Sequence, residues 1–245
     1  MRKNLYKNFK RIVACLMVML VIVTSFTYSV SAESEVYLTE LTGKLINNAD
    51  YNNYTVWSSP MTTFICENDD GTFTRVQADK THVLVETYDK NNTLKSTKSI
   101  GYELPIFGGF YEGSENYFLV FGKTNPEEND ANEVVRVVKY TKDWDRVSAA
   151  SICGANTTIP FASGSVRMTE TAGKLYLHTS HQMYKSTDGL NHQANMTFVI
   201  DQKEMVFVDY WYSIMNISYG YVSHSFNQFI QTDGTYVYRV DHGDA

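Results

Sequence analysis

One pattern recurs along this chain and constrains its fold more than any other feature: an apolar run, a glycine-bearing turn, then an aromatic-rich run. Phe64 to Val76 turns at Asp70-Gly71, and Phe229 to Val240 turns at Asp233-Gly234. Asp-Gly between strand-like runs signals a hairpin, because glycine accepts positive φ without a Cβ clash. Two further copies lie between them, Gly109 to Phe121 through Gly113 and Val166 to Leu177 through Gly173. The turn glycines 71, 113, 173 and 234 are 42, 60 and 61 residues apart.

A second hairpin follows each of the first three copies. Val83 to Tyr88 turns at residues 89–92 and returns through Leu94 to Ile100. Val134 to Tyr140 turns at 142–145 and returns from Val147 to Ile152, and Thr197 to Ile200 turns at 201–204 and returns from Met205 to Tyr210. Each unit thus holds four strands in about 45–60 residues, the module of a β-propeller blade. No segment after residue 33 combines a 3.6-residue apolar period with helix caps. The 18 Tyr, 13 Phe and only 4 Pro suit strands. The expected fold is therefore all-β, with antiparallel four-stranded blades starting near residues 62, 107, 164 and 224. A β-sandwich of hairpins is the competing architecture, and the regular spacing favours the propeller. The fourth unit shows two strands before residue 245, giving an incomplete or truncated propeller of about three and a half blades. Glu35–Leu41 and Tyr54–Ser59, within the segment 33–61, can supply two strands that complete the last blade.

The first 32 residues read differently. Arg2, Lys3, Lys7, Lys10 and Arg11 precede an apolar run from Ile12 to Val23 and a small-residue site at Val30-Ser31-Ala32. This is the pattern of a secretory signal peptide cleaved after Ala32. The apolar run is about half of the ~20 residues that a membrane span needs. The mature part is expected to be secreted or at the cell surface and not embedded in a membrane. Five of the 21 basic residues and none of the 27 acidic ones lie in residues 1–32, so the net charge moves from −6 to −11. A strongly acidic module excludes nucleic acid as a partner. Cys66 and Cys153 remain, far apart in sequence, and read as two buried thiols.

Leu104-Pro105-Ile106-Phe107-Gly108-Gly109-Phe110-Tyr111 with Tyr117 to Gly122 resembles uncharacterised secreted Gram-positive bacterial β-propeller-like surface proteins. So do Arg136 to Tyr140, Asp188 to Met196 and Gly220 to Phe229. The resemblance covers about residues 60–245. It implies a propeller-like module, often joined to Ig-like or cell-wall-binding domains, and a chain longer at its C-terminus. It brings no catalytic residues.

The candidate chemistry is sparse. His181 and His242 are 61 residues apart, as are Gly173 and Gly234, and both histidines follow an equivalent strand on the face of Leu175 and Tyr236. Equivalent strand ends of a propeller meet at one channel rim, so His181, His242 and Asp244 are expected to converge there, with His224 within reach. His178 and His181, three apart on a strand, face opposite sides. His82 and His192 read as loop residues. Asn125, Glu127, Glu128, Asn129, Asp130, Asn132 and Glu133 offer oxygens without the spacing of an EF-hand, and read as a solvated hairpin loop. Ser186-Thr187-Asp188-Gly189 departs from the Asp-box pattern, with Leu190 and Gln193 in place of its Gly and Trp. Glu112, Glu170, Asp188 and Asp244 are carboxylates that spacing does not pair. No P-loop, dinucleotide fingerprint or nucleophile elbow occurs, so no cofactor is expected. The expected function is binding of a glycan or an extracellular protein, with a carbohydrate-active hydrolase or lyase of propeller fold as the alternative.

Overall fold

The computed structural model describes residues 61–162, 164–214 and 225–243, all within one compact unit, Asn53–Ala245. The side chains of residues 213, 214, 225–227, 242 and 243 fall outside that description. So do the expected signal peptide, the strands placed at Glu35–Leu41 and Tyr54–Ser59, His224 and Asp244.

The described residues form antiparallel sheets and no helix. The first sheet runs β1 (Thr63–Glu67), β2 (Phe73–Ala78), β3 (His82–Tyr88) and β4 (Leu94–Gly101), each strand pairing the next. The second runs β5 (Ile106–Glu112), β6 (Tyr117–Gly122), β7 (Glu133–Tyr140) and β8 (Arg146–Cys153) in the same order. The third holds β9 (Thr157–Pro160), β10 (Arg167–Thr171), β11 (Lys174–Lys185), β12 (Asn191–Asp201) and β13 (Val206–Ile214). Its order is β10-β11-β12-β13, and β9 also pairs β11. The fourth pairs β14 (Ser225–Thr232) with β15 (Val237–Gly243). The turn glycines Gly71, Gly173 and Gly234 have φ of 75°, 72° and 92°, which is why these turns take glycine.

Two apolar layers join the first three sheets. β6 shows how one strand serves both. Leu119 and Phe121 point into the layer shared with the first sheet, where Val76, Val83, Val85, Phe107, Phe110 and Trp144 gather. Phe118 and Val120 point the other way, onto Leu175, Leu177, Met196, Phe198 and Ile200 of the third sheet. A strand covered on both faces reads as an unbroken apolar run instead of an alternating one. Trp144 sits in a turn at φ 64° yet is buried, with its ring stacked on Tyr117 at a centroid distance of 4.4 Å.

The third sheet departs from the four-strand expectation. β9 is an added strand, and β11 and β12 run 12 and 11 residues. His181 and His192 therefore lie inside strands, where a position beyond a strand and a loop were expected. Register explains the extension: Thr157–Pro160 pairs with His181–Met183, so the far half of β11 keeps a hydrogen-bonded neighbour after β10 has ended.

Candidate functional site

The expected histidine site comes first. His181 is fully buried. It shares the face of Leu175 and Leu177, towards the second sheet. Thr157 Oγ1 donates to the Ala155 carbonyl at 2.8 Å and lies 2.7 Å from His181 Nδ1. A hydroxyl spending its proton on Ala155 accepts from an Nδ1–H, which sets the tautomer. His181 Nε2 then finds no hydrogen bond of normal geometry, although the Tyr212 backbone beside it favours the protonated ring. Burial outweighs that contact and pushes the imidazole down to about 4, so the ring is neutral.

His242 lies in β15, opposite Phe226. The 61-residue offset relates residues of opposite outlook: Leu175 faces the second sheet, whereas Tyr236 is 65% exposed, and the β15 positions facing the third sheet are Arg239 and Asp241. Among the described residues, no group of three His, Cys, Asp or Glu side chains is placed to hold a metal ion.

The junction of the third and fourth sheets is polar, unlike the two apolar layers. His178 is fully buried, with Nδ1 at 2.8 Å from Thr197 Oγ1 and Nε2 at 2.5 Å from Asp241 Oδ1. Arg239 donates to Thr197 Oγ1 at 2.9 Å. Gln228, also fully buried, donates to Asn195 and accepts from the Ser165 amide. His178 and His181 thus do face opposite sides of β11. Every polar group named here has a partner, as burial requires. The network ties β11 and β12 to β14 and β15, so it reads as docking for the fourth sheet.

A cleft of about 370 Å³ opens where the second and third sheets meet, lined by Asp130, Ile152, Cys153, Ala155, Asn156, Tyr184, Tyr210 and Tyr212. Two elements present its aromatic wall. Tyr210 and Tyr212 alternate onto one face of β13 and stack at 5.1 Å with their planes 14° apart. Tyr184 stands near the end of β11, donating to Asp130 Oδ1 at 3.2 Å and accepting from Asn125 Nδ2 at 2.9 Å. Burial and the Asp130 carboxylate raise the Tyr184 phenol, so it stays a neutral donor.

The loop expected to be solvated is organised by a buried residue. Asn125 Nδ2 also donates to the carbonyls of Asn129 and Thr157, and its Oδ1 accepts from the Asn129 amide and Asn132 Nδ2. Asp130 is thereby carried to the cleft rim. The floor is strained: Gly154, Ala155 and Asn156 have φ of 63°, 47° and 49° in succession. Left-handed residues other than glycine cost of order 1–2 kcal/mol each, and such strain gathers at binding sites. Gly154 is required for a second reason, since a Cβ there would meet Asp130 Cα at 2.8 Å.

Of the four expected ligand residues, only His181 has a described side chain, and it does not line this cleft. His181 stands behind it, linked through Thr157 to Ala155. Two other concavities of similar size exist. One lies on the fourth sheet around Phe229 and Tyr238, and one beside Glu128 and Ile159 holds no aromatic side chain. Of the two thiols expected to be buried, Cys66 is buried and Cys153 is exposed at the cleft. Cys153 ends the edge strand β8, where solvent reaches alternate side chains. The Ser186–Gly189 segment is a plain turn, with Asp188 accepting from Ser186, from the Leu190 amide and from His192.

Neither a protein-family model nor a curated protein matches the sequence. Among solved structures, the chain is similar to a single-residue variant of an ACO/RPE65 chimera in a monoclinic crystal form, at 12% identity and a TM-score of 0.40. The match covers 62% of this chain and 37% of that one, so the chain spans well under half the length of that protein. At that TM-score the likeness extends to neither site nor activity.

Proposed function

We propose that this chain is an exported β-propeller-like module that binds a glycan, at the cell surface or outside the cell, through the tyrosine-lined cleft. The carrying observation is the composition of that cleft: three tyrosines, one carboxylate and one amide over a strained floor. Aromatic faces supply apolar area with little conformational entropy to lose, and their hydroxyls, with Asp130 and Asn156, supply hydrogen bonds. A sugar has apolar faces and hydroxyl edges that suit both. In this reading the four sheets belong to a closing propeller ring, and the leader at 1–32 directs export.

The alternative, a carbohydrate-active hydrolase, is less well supported. Glycoside hydrolysis uses two carboxylates across the scissile bond, and among the described residues the cleft lining holds one, Asp130. Screening the protein against a glycan array and a panel of glycosidase substrates separates the readings. Binding without turnover supports the module. Turnover abolished by a single carboxylate substitution supports the enzyme.

A further inference from the structure

We infer that the ligand of the cleft carries an ammonium group, as a deacetylated amino sugar does, and that Asp130 is the residue that selects it. This rests on the glycan reading above and adds a charge to it. Among the described residues the lining contains one formal charge, the Asp130 carboxylate, and no basic side chain.

Three features make that carboxylate a recognition group. Tyr184 donates only to Oδ1, and Oδ2 receives no hydrogen bond from a described residue. Asp130 is exposed, so presenting it carries little desolvation cost. Its backbone is held from two sides, because Asn125 binds the neighbouring Asn129 and the chain at Asp130 packs against Gly154.

The tyrosines act in the same direction. A phenol ring presents a negative π-face, which attracts an ammonium within about 6 Å of its centroid. Tyr210 and Tyr212 offer stacked rings beside the carboxylate, and Tyr210 is 49% exposed. Charge-assisted hydrogen bonds are roughly twice as strong as neutral ones, so an amine gains more from Asp130 than a hydroxyl does. A uronic acid meets the reverse situation, with a like charge and no cation to pair with it.

Calorimetric titration of the intact chain with a glucosamine trisaccharide, its N-acetylated counterpart and a galacturonate trisaccharide tests this. The amine form should bind about tenfold more tightly than the acetylated form, and the uronate should not bind. Asp130→Asn keeps an acceptor for Tyr184 and should erase the preference, bringing the affinity for the amine form down to that for the acetylated form. Raised salt should narrow the gap. Equal binding of amine and acetylated forms, or a preference that survives Asp130→Asn, overturns the inference and leaves the glycan reading standing. If neither sugar binds and a neutral glycan array is also blank, the glycan reading itself fails.

Discussion

His178 Nε2 meets Asp241 Oδ1 at 2.5 Å across the junction of the third and fourth sheets, and the histidine end of that bond is fully buried. Among the described residues the fourth sheet has two strands, and it meets its neighbour through polar contacts. Asp241→Ala should leave a buried imidazole without its acceptor and cost about 1–3 kcal/mol. Asp241→Asn, which keeps a carbonyl acceptor, should cost less. Denaturant unfolding gives the magnitudes. Hydrogen exchange should show the loss concentrated in the amides of β14 and β15.

His181 gives the chain a pH dependence of defined sign. Its imidazole stands at about 4 in the folded chain, against an ordinary value near 6.5. Between those values the unfolded chain holds a proton that the folded chain refuses. Stability therefore rises with pH from about 4 to 6.5 and falls as the solution is acidified, by at most about 3 kcal/mol from this group. Melting temperatures of the wild type and of His181→Leu across that window should differ in slope, with the variant flatter.

The blade-like hairpins were legible because their turns need particular residues. Asp70-Gly71 and Asp233-Gly234 announce positive φ, and β3, β7 and β8 follow their apolar runs closely. β9 escaped notice because four residues ending in Pro160 carry no period of their own, and only the pairing with β11 defines them. The cleft was invisible for a related reason. Tyr184, Tyr210 and Asp130 come from three separate segments, and exposure separates Tyr210 from the core tyrosine Tyr117. The one available signal was the amide- and acid-rich run from Asn125 to Glu133. It looked solvated because nothing in the sequence shows that Asn125 is buried. The histidine offset carries less than it promised, because a shared distance from a turn glycine does not fix which way a strand faces, and the His242 side chain lies outside the described residues.

The floor of the cleft should tolerate no side chain at Gly154. Its φ of 63° disfavours alanine, and the added Cβ would press on the backbone at Asp130. Gly154→Ala should cost about 1–3 kcal/mol and displace the Asp130 loop. Thermal unfolding checks the first effect. Amide chemical shifts from Asn129 to Asn132 check the second.

The two thiols should differ sharply in reactivity. Burial and the neighbouring Glu112 push the Cys66 thiol up to about 12, whereas Cys153 is exposed at the cleft. Alkylation at neutral pH followed by peptide mapping should modify Cys153 and leave Cys66 intact until the chain is unfolded. A bound glycan should slow the modification of Cys153.

The central claim is that tyrosines of this cleft hold a sugar, and Tyr210 is the residue that tests it most directly. It is half exposed and, among the described residues, its ring stacks only on its neighbour Tyr212, so its loss should leave the melting temperature nearly unchanged. A glycan array probed in parallel with the wild type and Tyr210→Ala is the decisive measurement. The account predicts a wild-type signal that falls about tenfold in the variant, the scale of one lost aromatic contact of about 1.5 kcal/mol. A glycan signal of equal strength in the two proteins, or no signal in either, would contradict it.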